Sequence, residues 1–374
     1  GRLDLAVLFS RAPAAAAGVF TRNRVQAAPI LVSRRHLAGG RARAVVVNAG
    51  CANACTGEEG VRDAEEMAAL TASHLGLRAE EVLVASTGVI GVRLPMEKIR
   101  VGIAQVSRRL SPEGGQEAAL AIMTTDTRPK ACAVRVELGG VPVTIGGMAK
   151  GSGMIHPQMA TMLAFLTTDA AVTQPALDRA LRRAVNRTFN RLTVDGDTST
   201  NDAVFLLANG LAGNRPLAEE EPELDRFTAA LEAVAGFLAR AIARDGEGAT
   251  CLIEVRVEGA PDEEAAEAVA RAVANSNLVK TAVFGRDPNW GRILCAVGYA
   301  PAEVDPGRAD IYLGPVLVAR AGSAHPFNEE EARAALSQEE VLIRIALHQG
   351  EASASVWTCD LSYDYVRINA SYRS

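Results

Sequence analysis

The chain contains 374 residues, a length that predicts about two domains with a large apolar core. Hydrophobic residues make up 48% and charged residues 22%, which is typical of globular proteins and excludes disordered, collagen-like and coiled-coil classes. The 39 Lys and Arg against 44 Asp and Glu leave a net charge of −5, so nucleic acid is not an expected partner. The longest uncharged stretch, residues 151–168, is too polar for a membrane span, and the chain opens without a secretory signal. We therefore expect a cytoplasmic protein.

The six cysteines and five histidines form no pattern that predicts a disulfide scaffold or a metal site. Cys51 and Cys55 have ligand-like spacing, but no second pair lies nearby to complete a tetrahedral zinc site. Residues 195–202 are rich in aspartate but lack the glycine and glutamate of an EF-hand loop, so we interpret them as structural. Only four of the 39 basic residues are lysines, which makes each lysine worth inspecting.

Short apolar runs alternate with helical patterns in the first part of the chain. Strands are predicted at residues 3–9, 30–33, 44–47 and 82–85, and helices at 58–74 and 95–110. Residues 131–138 and 141–145 predict a hairpin around Gly139 and Gly140. A glycine-rich stretch at 146–153 and an apolar strand at 162–166 follow.

The same alternation continues to the end of the chain. Helices are predicted at 173–189, 223–243 and 261–274, with strands at 251–258, 341–346, 353–357 and 363–368. This order predicts an α/β fold with helices layered on β-sheets. A run of Gly, Asn, Pro and Glu near residues 210–225 is the best candidate for a domain boundary.

The segment from Met148 to Phe165 carries the clearest chemical signal. A glycine-rich loop with a rare lysine, Lys150, leads to Thr161 and an apolar strand. A threonine hydroxyl is a weak nucleophile, but an N-terminal threonine can use its own α-amine, with a pKa of about 7.7–8.0, as the general base. Attack of the Thr161 hydroxyl on the Ala160 carbonyl, followed by ester hydrolysis, would free that amine. On residue pattern alone, a strand-initiating threonine after a flexible loop is the more common explanation.

Residues 150–165 resemble the self-cleaving site of the glutamate N-acetyltransferases of arginine biosynthesis, also called ornithine acetyltransferases. Further segments resemble that family in the same order, so the resemblance covers nearly the whole chain. They are residues 48–57, 86–91, 123–126, 195–202, 280–282 with 285–292, and 368–370. Gln158 stands where Asn is more usual and Ser374 where Thr is common, and both differences are conservative. Family members usually begin some residues earlier, so we expect a segment before Gly1.

The resemblance implies an acyltransferase with a ping-pong cycle. Thr161 would take acetyl from N²-acetylornithine as an ester, and glutamate would then attack the acetyl-enzyme, which yields ornithine and N-acetylglutamate. No cofactor or metal is implied, and acetyl-CoA is a second donor only in bifunctional members. The resemblance also implies a precursor cut into residues 1–160 and 161–374, which assemble as an α₂β₂ heterotetramer acting on small molecules. Two other functions stay open: an N-terminal-nucleophile amidase or aminopeptidase, and a non-catalytic amino-acid-binding protein.

The resemblance further implies roles for single residues. Thr161 would be the nucleophile, and Thr87 with Gly88 would form an oxyanion hole from a hydroxyl and a backbone N–H. The implied substrate contacts are Thr125, Lys150, Thr161, Glu247, Asn369 and Ser374. Thr124 is the alternative to Thr125, since it is one residue away. Without the resemblance, these residues would be interpreted as an ordinary turn, a solvated lysine, a charge in a helix-terminal loop and a polar tail.

Overall fold

The computed structural model describes residues 3–156 and 162–371, which form two compact units. The first unit contains the described residues up to Asn190 together with Asp197–Leu238. The second unit contains Arg191–Gly196 and the described residues from Ala239 onward. Residues 210–225, where the sequence indicates a boundary, all lie in the first unit.

Strands and helices alternate along the first unit. The strands are β1 (Leu5–Phe9), β2 (Ala15–Phe20), β3 (Ala44–Cys51), β4 (Val82–Val89), β5 (Lys130–Leu138), β6 (Val141–Lys150), β7 (Leu163–Thr168) and β8 (Ala203–Ala208). The helices are α1 (Ala28–His36), α2 (Gly57–Leu75), α3 (Met96–Arg108), α4 (Gly115–Ala121), α5 (Gln174–Arg187) and most of α6 (Pro222–Arg244).

The strands of the first unit form two sheets. The three-stranded sheet has the order β1-β3-β4, with β1 antiparallel and β4 parallel to β3. The five-stranded sheet has the order β2-β8-β7-β6-β5, in which β7 and β8 are parallel and the other neighbours antiparallel. The β5–β6 hairpin turns at Gly139 and Gly140, as the sequence predicts.

The two sheets lie face to face because β3 is apolar on both of its faces. Successive side chains of a strand point to opposite faces, so neighbouring valines of β3 enter different cores. Val46 packs in one core with Met67 of α2. Val45 packs in the other core with Phe165 of β7 and Phe205 of β8. Helices α1–α3, the three-stranded sheet and the five-stranded sheet thus form successive layers.

Helices α5 and α6 cover the five-stranded sheet on its remaining side. Helix α5 packs against β2 and β8. Helix α6 lies so close to β6 that a Cβ at Gly147 would be 3.2 Å from side-chain atoms of Val234 and Leu238. The absence of a side chain at Gly147 therefore lets helix and sheet approach each other.

The second unit is one sheet covered by helices. Its strands are β9 (Leu252–Ala260), β10 (Asp310–Leu313), β11 (Val316–Arg320), β12 (Ser323–Ala324), β13 (Glu340–Ala346) and β14 (Ala352–Cys359), in the order β12-β11-β10-β13-β9-β14. Its helices are α7 (Glu263–Ala274), α8 (Asn277–Phe284), α9 (Trp290–Gly298), α10 (Glu329–Leu336) and α11 (Tyr363–Ser371). Helix α7 packs on β9 and β14, and its first turn is capped by the Asp262 carboxylate, which accepts the Ala265 N–H.

The predicted α/β class is confirmed, and so are the helices and strands on which it rests, apart from three segments. Residues 30–33 were expected as a strand but lie in α1, where Pro29 stands in the first turn and favours a helix start. Residues 363–368 were also expected as a strand and form most of α11. Both errors arise because a short apolar run fits either a strand or one face of a helix. The glycine-rich stretch at 146–153 is a strand as far as Lys150.

Phe205 is fully buried between the two sheets, and its ring centroid lies 5.8 Å from that of Phe20 and 6.0 Å from that of Phe165. We expect Phe205→Ala to lower the free energy of unfolding by about 3–5 kcal/mol, because two packed sheets cannot close the cavity it leaves. Urea unfolding followed by circular dichroism measures this. Leu211→Ala is the control, since Leu211 is 68% exposed, and it should change the value by less than about 0.5 kcal/mol. Equal losses in both variants would contradict the proposed packing.

Candidate functional site

Thr87 and Gly88 lie near the end of β4, where this strand runs beside β3. Gly88 is paired with Gly50 of β3. Its backbone φ is 131°, a value that residues with a side chain rarely adopt. A Cβ at Gly88 would lie 2.2 Å from the carbonyl carbon of Gly50, so only glycine fits this close approach. The approach fixes the backbone at the end of β4, where the buried Thr87 with its hydroxyl is followed by the half-buried Gly88 with its N–H.

Lys150 is the last residue of β6, and it is buried. Its Nζ donates hydrogen bonds to Oγ1 of Thr124 at 2.7 Å and to Oγ1 of Thr87 at 3.3 Å. The structure thus brings together two residues that the sequence singled out, Thr87 and Lys150, from strands of different sheets. Thr124 joins them from the segment that follows α4.

Asp126 is the carboxylate around which this site is arranged. Its side chain is inaccessible to solvent, and Oδ1 accepts the Gly151 N–H and Nζ of Lys130, each at 2.7 Å. Its Oδ2 accepts the Thr124 N–H at 3.1 Å and lies 3.8 Å from Nζ of Lys150. One carboxylate therefore lies between two buried lysines.

The environment of Asp126 favours its charged form. Burial by itself raises the pKa of Asp126, but the charges of Lys150 and Lys130 and the Gly151 N–H outweigh it and hold this pKa well below its usual range. Asp126 is therefore ionised at any pH near neutrality.

The aspartate-rich segment 195–202 reaches the same strand ends. Nδ2 of Asn201 donates to the carbonyl oxygens of Ala52, at 2.6 Å, and Ser86, at 2.9 Å. The Thr21 hydroxyl donates to the carbonyl oxygen of Ser199 at 2.8 Å, which holds the segment beside β2. These bonds connect three of the segments that carried the resemblance, and they assign to residues 199–201 a structural role, as the sequence predicts for this stretch.

Asp202 is the second buried carboxyl of the site. It is fully buried, and its Oδ1 accepts the N–H of Met162, the residue that follows Thr161, at 3.0 Å. Burial raises the pKa of Asp202 well above its usual value, and the Met162 N–H and the Lys150 charge only partly oppose this. Asp126 and Asp202 thus have pKa values shifted in opposite directions, which gives two chemically different carboxyls near one ammonium.

Glu247 and Asn369 lie in the second unit and are joined to each other. Nδ2 of Asn369, on α11, donates to Oε2 of the buried Glu247 at 2.8 Å. Gly248 lets α11 approach this loop, because its φ is 72° and a Cβ there would lie 2.4 Å from the backbone N of Tyr365. The Ser362 hydroxyl donates to the Gly248 carbonyl at 2.6 Å. The loop and the C-terminal helix are therefore one packed element.

Lys280 is a third buried lysine, which the sequence marked by its rarity and by the family resemblance of residues 280–282. Its Nζ donates to the Val194 carbonyl at 2.6 Å and to Oγ1 of Thr358 at 2.9 Å. These bonds fasten α8 to β14 and to the residues before Asp195, within the second unit. We interpret Lys280 as structural.

These contacts do not test the functional roles predicted for the site residues. Thr161, Ala160 and Ser374 lie outside the described residues. Thr125 is half-buried, and the hydroxyl that meets Lys150 belongs to its neighbour Thr124, so a substrate contact at Thr125 stays a prediction. The sequence missed Asp126, Lys130 and Asp202 as parts of the site. For Lys130, the scarcity of lysine is the signal that could have found it.

Residues 3–156 and 162–371 contain no group of His, Cys, Asp and Glu side chains that could hold a metal ion. Cys51 and Cys55 are both free thiols. Burial raises the pKa of the Cys51 thiol, which makes it a poor nucleophile at neutral pH. Within the described ranges, no helix is long and apolar enough to cross a membrane.

Comparison with known proteins gives matches over the full length of the chain. The model of the ArgJ family matches residues 1–374. The arginine biosynthesis bifunctional protein ArgJ of Symbiobacterium thermophilum is 58% identical over 374 residues, which cover 100% of this chain and 93% of that protein. The protein of the same name from Geobacillus kaustophilus is 52% identical over 372 residues, which cover 99% of this chain and 91% of that protein.

One solved structure is similar as well. It is the crystal structure of the arginine biosynthesis bifunctional protein argJ from Bacillus halodurans, with 50% sequence identity and a TM-score of 0.54. The match covers 56% of this chain and 98% of that chain.

The layered sheets, and the strand ends that gather two buried lysines and two buried carboxyls, define an α/β protein with a charged interior site. Within that class the chain belongs to the ArgJ family. The resemblance deduced from the sequence motifs is thereby confirmed.

The raised pKa of Asp202 predicts how stability changes with pH. The folded state holds the Asp202 proton more tightly than the unfolded state, so the stabilisation is complete below the unfolded pKa and is lost as pH rises through the folded pKa. Asp202→Asn cannot lose this proton. We therefore expect its melting temperature to increase relative to that of the wild type as pH rises from about 4.5 to 8. Scanning calorimetry across this range measures the difference.

Asp169→Asn is the matched control for this experiment, because Asp169 also accepts a backbone N–H, from Thr144 at 2.7 Å, but is only partly buried. The melting temperature of Asp169→Asn should change with pH in the same way as that of the wild type. A parallel course for Asp202→Asn as well would show that Asp202 does not bind an extra proton on folding.

Proposed function

We propose that this chain is an acetyltransferase of arginine biosynthesis that transfers the acetyl group of N²-acetylornithine to glutamate, and that releases ornithine and N-acetylglutamate. The observation that carries the proposal is the hydroxyl of Thr87, which is in contact with the buried ammonium of Lys150 and is followed in the chain by Gly88. The relatives also support the proposal, because two proteins that match this chain over nearly its whole length are named arginine biosynthesis bifunctional proteins.

In this proposal Thr161 is the nucleophile and becomes N-terminal by cleavage after Ala160. The Thr161 hydroxyl attacks the acetyl carbonyl, its α-amine takes the proton, and ornithine leaves with that proton. Glutamate then attacks the acetyl ester and regenerates the free hydroxyl. The bond from the Met162 N–H to Asp202 supports this role, because it fixes the residue that follows Thr161 and directly precedes β7.

Thr87 and Gly88 are proposed to stabilise the tetrahedral intermediate. The Thr87 oxygen accepts a hydrogen bond from Nζ of Lys150, so its own O–H proton is available to donate to the oxyanion. The second donor is the Gly88 N–H. A donor pair that is fixed by a sheet strand needs no reorganisation during the reaction, which is the physical source of this stabilisation.

The substrate contacts in this proposal are Thr125, Lys150, Glu247, Asn369 and Ser374. The Lys150 ammonium suits a substrate carboxylate, and the Glu247 carboxylate suits the side-chain ammonium of ornithine. The bond from Asn369 holds Glu247 at Oε2. Acetyl-CoA is proposed as a second donor, because the relatives are named bifunctional.

The proposal includes an assembly and a location. The two pieces, residues 1–160 and 161–374, stay together and pair with a second copy as an α₂β₂ heterotetramer in the cytoplasm. Analytical ultracentrifugation of the purified protein measures the mass of this assembly.

We expect the purified protein to separate under denaturing conditions into pieces of about 17 and 22 kDa, with the larger one beginning at Thr161. Thr161→Ala removes the attacking hydroxyl, so that variant should stay intact and inactive. Denaturing mass spectrometry measures the pieces, and ornithine release from N²-acetylornithine measures the activity. Thr167→Ala is the control, since Thr167 is an exposed residue of β7, and it should be cut and active.

The outcomes of this experiment separate the competing functions. Ornithine release that requires glutamate supports transfer, whereas release at the same rate without glutamate indicates an amidase. An uncut wild-type chain that binds ornithine without turnover indicates a binding protein. An uncut chain that still transfers acetyl contradicts the α-amine mechanism. Transfer from acetyl-CoA as the sole donor tests the second activity.

Thr87→Val keeps the shape of the side chain and removes its donor. We expect kcat to fall about 100- to 1,000-fold, because one hydrogen bond to the tetrahedral intermediate is lost while substrate binding is retained. Thr87→Ser keeps the hydroxyl and should retain most of the activity. Steady-state kinetics with N²-acetylornithine and glutamate measure both variants. An unchanged kcat for Thr87→Val would contradict the proposed role of Thr87 in the oxyanion hole.

A further inference from the structure

A groove runs along the outer edge of β2, and the residues that line it are separate from those of the candidate site. Its volume is about 590 Å³. Pockets that bind small molecules have volumes of about 300–1,000 Å³. The floor of the groove is β2, one wall is the end of α1 with the turn that follows it, and the other wall is α5. All of these elements belong to the first unit, so the groove is a feature of one compact body.

β2 is an edge strand of the five-stranded sheet, and its backbone is open to the groove. In an antiparallel ladder, both backbone groups of a residue point to one side and those of the next residue to the other side. The Ala16 N–H donates to Gly40 at 2.9 Å, away from β8, whereas the Thr21 N–H donates at 3.0 Å to the residue directly before β8. Gly18 and Phe20 therefore direct their N–H and C=O groups to the outer edge. In the described part of the chain, no backbone group pairs with them there.

Both walls of the groove are built close against this strand. A Cβ at Gly18 would lie 2.5 Å from Cδ1 of Leu37, so the turn after α1 packs directly on β2. A Cβ at Gly40 would lie 2.6 Å from Cγ of Gln174, so the same turn also meets α5. Because Gly40 accepts the bond from Ala16 as well, the groove is closed at that end, and the open edge begins at Gly18.

The charged side chains that line the groove are three arginines and one aspartate, which give it a formal charge of +2. Arg182 and Asp178 lie one turn apart on α5 and form an ion pair, with Nε 2.7 Å from Oδ2. Arg34, in the last turn of α1, lies over the Phe20 ring at 5.2 Å from its centroid. Among residues 3–156 and 162–371, no carboxylate lies within ion-pair distance of Arg22 or Arg34.

The open edge and the charges together describe the ligand. Gly18 offers an N–H donor and a C=O acceptor on one side, which match a ligand with an acceptor and an amide N–H on the same carbon. An N-acylated amino acid has this pattern, because its amide N–H and its α-carboxylate are attached to one carbon. A second carboxylate in its side chain balances the charge of the groove, and guanidinium groups bind carboxylates through paired hydrogen bonds.

We propose that this groove is a second binding site, which takes an N-acylated acidic amino acid as an added residue on the edge of β2. The amide N–H of the ligand donates to the Gly18 carbonyl, and its α-carboxylate accepts the Gly18 N–H. Arg34 and Arg182 bind its carboxylates from the two walls. The choice of N-acetylglutamate as the ligand rests on the proposed function, because that molecule is the product of the proposed transfer.

Amide hydrogen exchange of the wild-type protein, measured by mass spectrometry with residue-resolved fragmentation, tests the edge directly. Without ligand, the N–H groups of Gly18 and Phe20 should exchange fast, whereas those of Ala17 and Val19, which point to β8, should be protected. N-acetylglutamate at about ten times its Kd should slow exchange at Gly18 about tenfold, because the ligand must leave before exchange occurs. Ala17 and Val19 should keep their rates.

Two pairs of neighbouring arginines provide matched variants. Arg34→Gln and Arg182→Gln each remove one guanidinium of the groove and should raise the Kd of N-acetylglutamate about tenfold or more. Arg35→Gln and Arg183→Gln are the controls, since both residues form ion pairs elsewhere and do not line the groove. All four positions are exposed, so the variants should fold. The Kd of each variant follows from the protection of Gly18 as a function of ligand concentration.

Two further ligands test the two parts of the assignment. Glutarate has both carboxylates but no amide, so it should bind about five- to tenfold more weakly than N-acetylglutamate. Equal binding of glutarate would overturn the pairing with Gly18. A peptide that ends in glutamate and binds more than about tenfold tighter than N-acetylglutamate would overturn the small-molecule assignment and indicate a polypeptide partner.

Unchanged exchange at Gly18 with N-acetylglutamate would overturn the inference, as would equal Kd values for Arg34→Gln and Arg35→Gln. A protein that transfers acetyl to glutamate but shows no protection at Gly18 would lose this inference alone. A protein that transfers no acetyl would instead remove the proposed function, and exchange at Gly18 would still decide whether the groove binds this ligand.

Discussion

The burial of the Lys150 ammonium is the constraint on which the candidate site depends. A charge in the interior must be matched by an opposite charge and by acceptors for its protons. Asp126 supplies the charge, and the hydroxyls of Thr87 and Thr124 accept the protons. Lys130 makes the closer contact with the same carboxylate, at 2.7 Å.

The rigid sheets of the first unit turn this electrostatic arrangement into a defined geometry. Lys150 ends β6, Thr87 lies near the end of β4, and Met162 immediately precedes β7. Functional groups on strand ends are held more firmly than groups on loops, because the ladder hydrogen bonds and the core on both faces fix the backbone. The contact between Gly50 and Gly88 adds the tightest of these restraints, since no side chain fits there.

Much of the architecture could be predicted from local patterns. The helices at 58–74 and 223–243 and the β5–β6 hairpin have long periodic signals, which are hard to mistake. The segments at 30–33 and 363–368 are short, and there the pattern fits both a strand and a helix face. The alanine-rich strand β2 has no β-branched run to reveal it, and its pairing with β8 comes from contacts distant in the sequence.

The sequence by itself determined the family of this protein, because the motifs around Lys150, Thr87 and residues 195–202 are long, and they occur in the family's order. It also determined the class of fold, because alternating periodicities are a local property of the chain. Only the tertiary structure decided which groups surround Lys150. It shows that Asp126 lies near Lys150 and that Lys130 contacts the same carboxylate, whereas other charged residues do not mark themselves apart from these two in the sequence. The reason is that burial and charge pairing are properties of residues brought together from separate strands, and no local pattern of the sequence contains them.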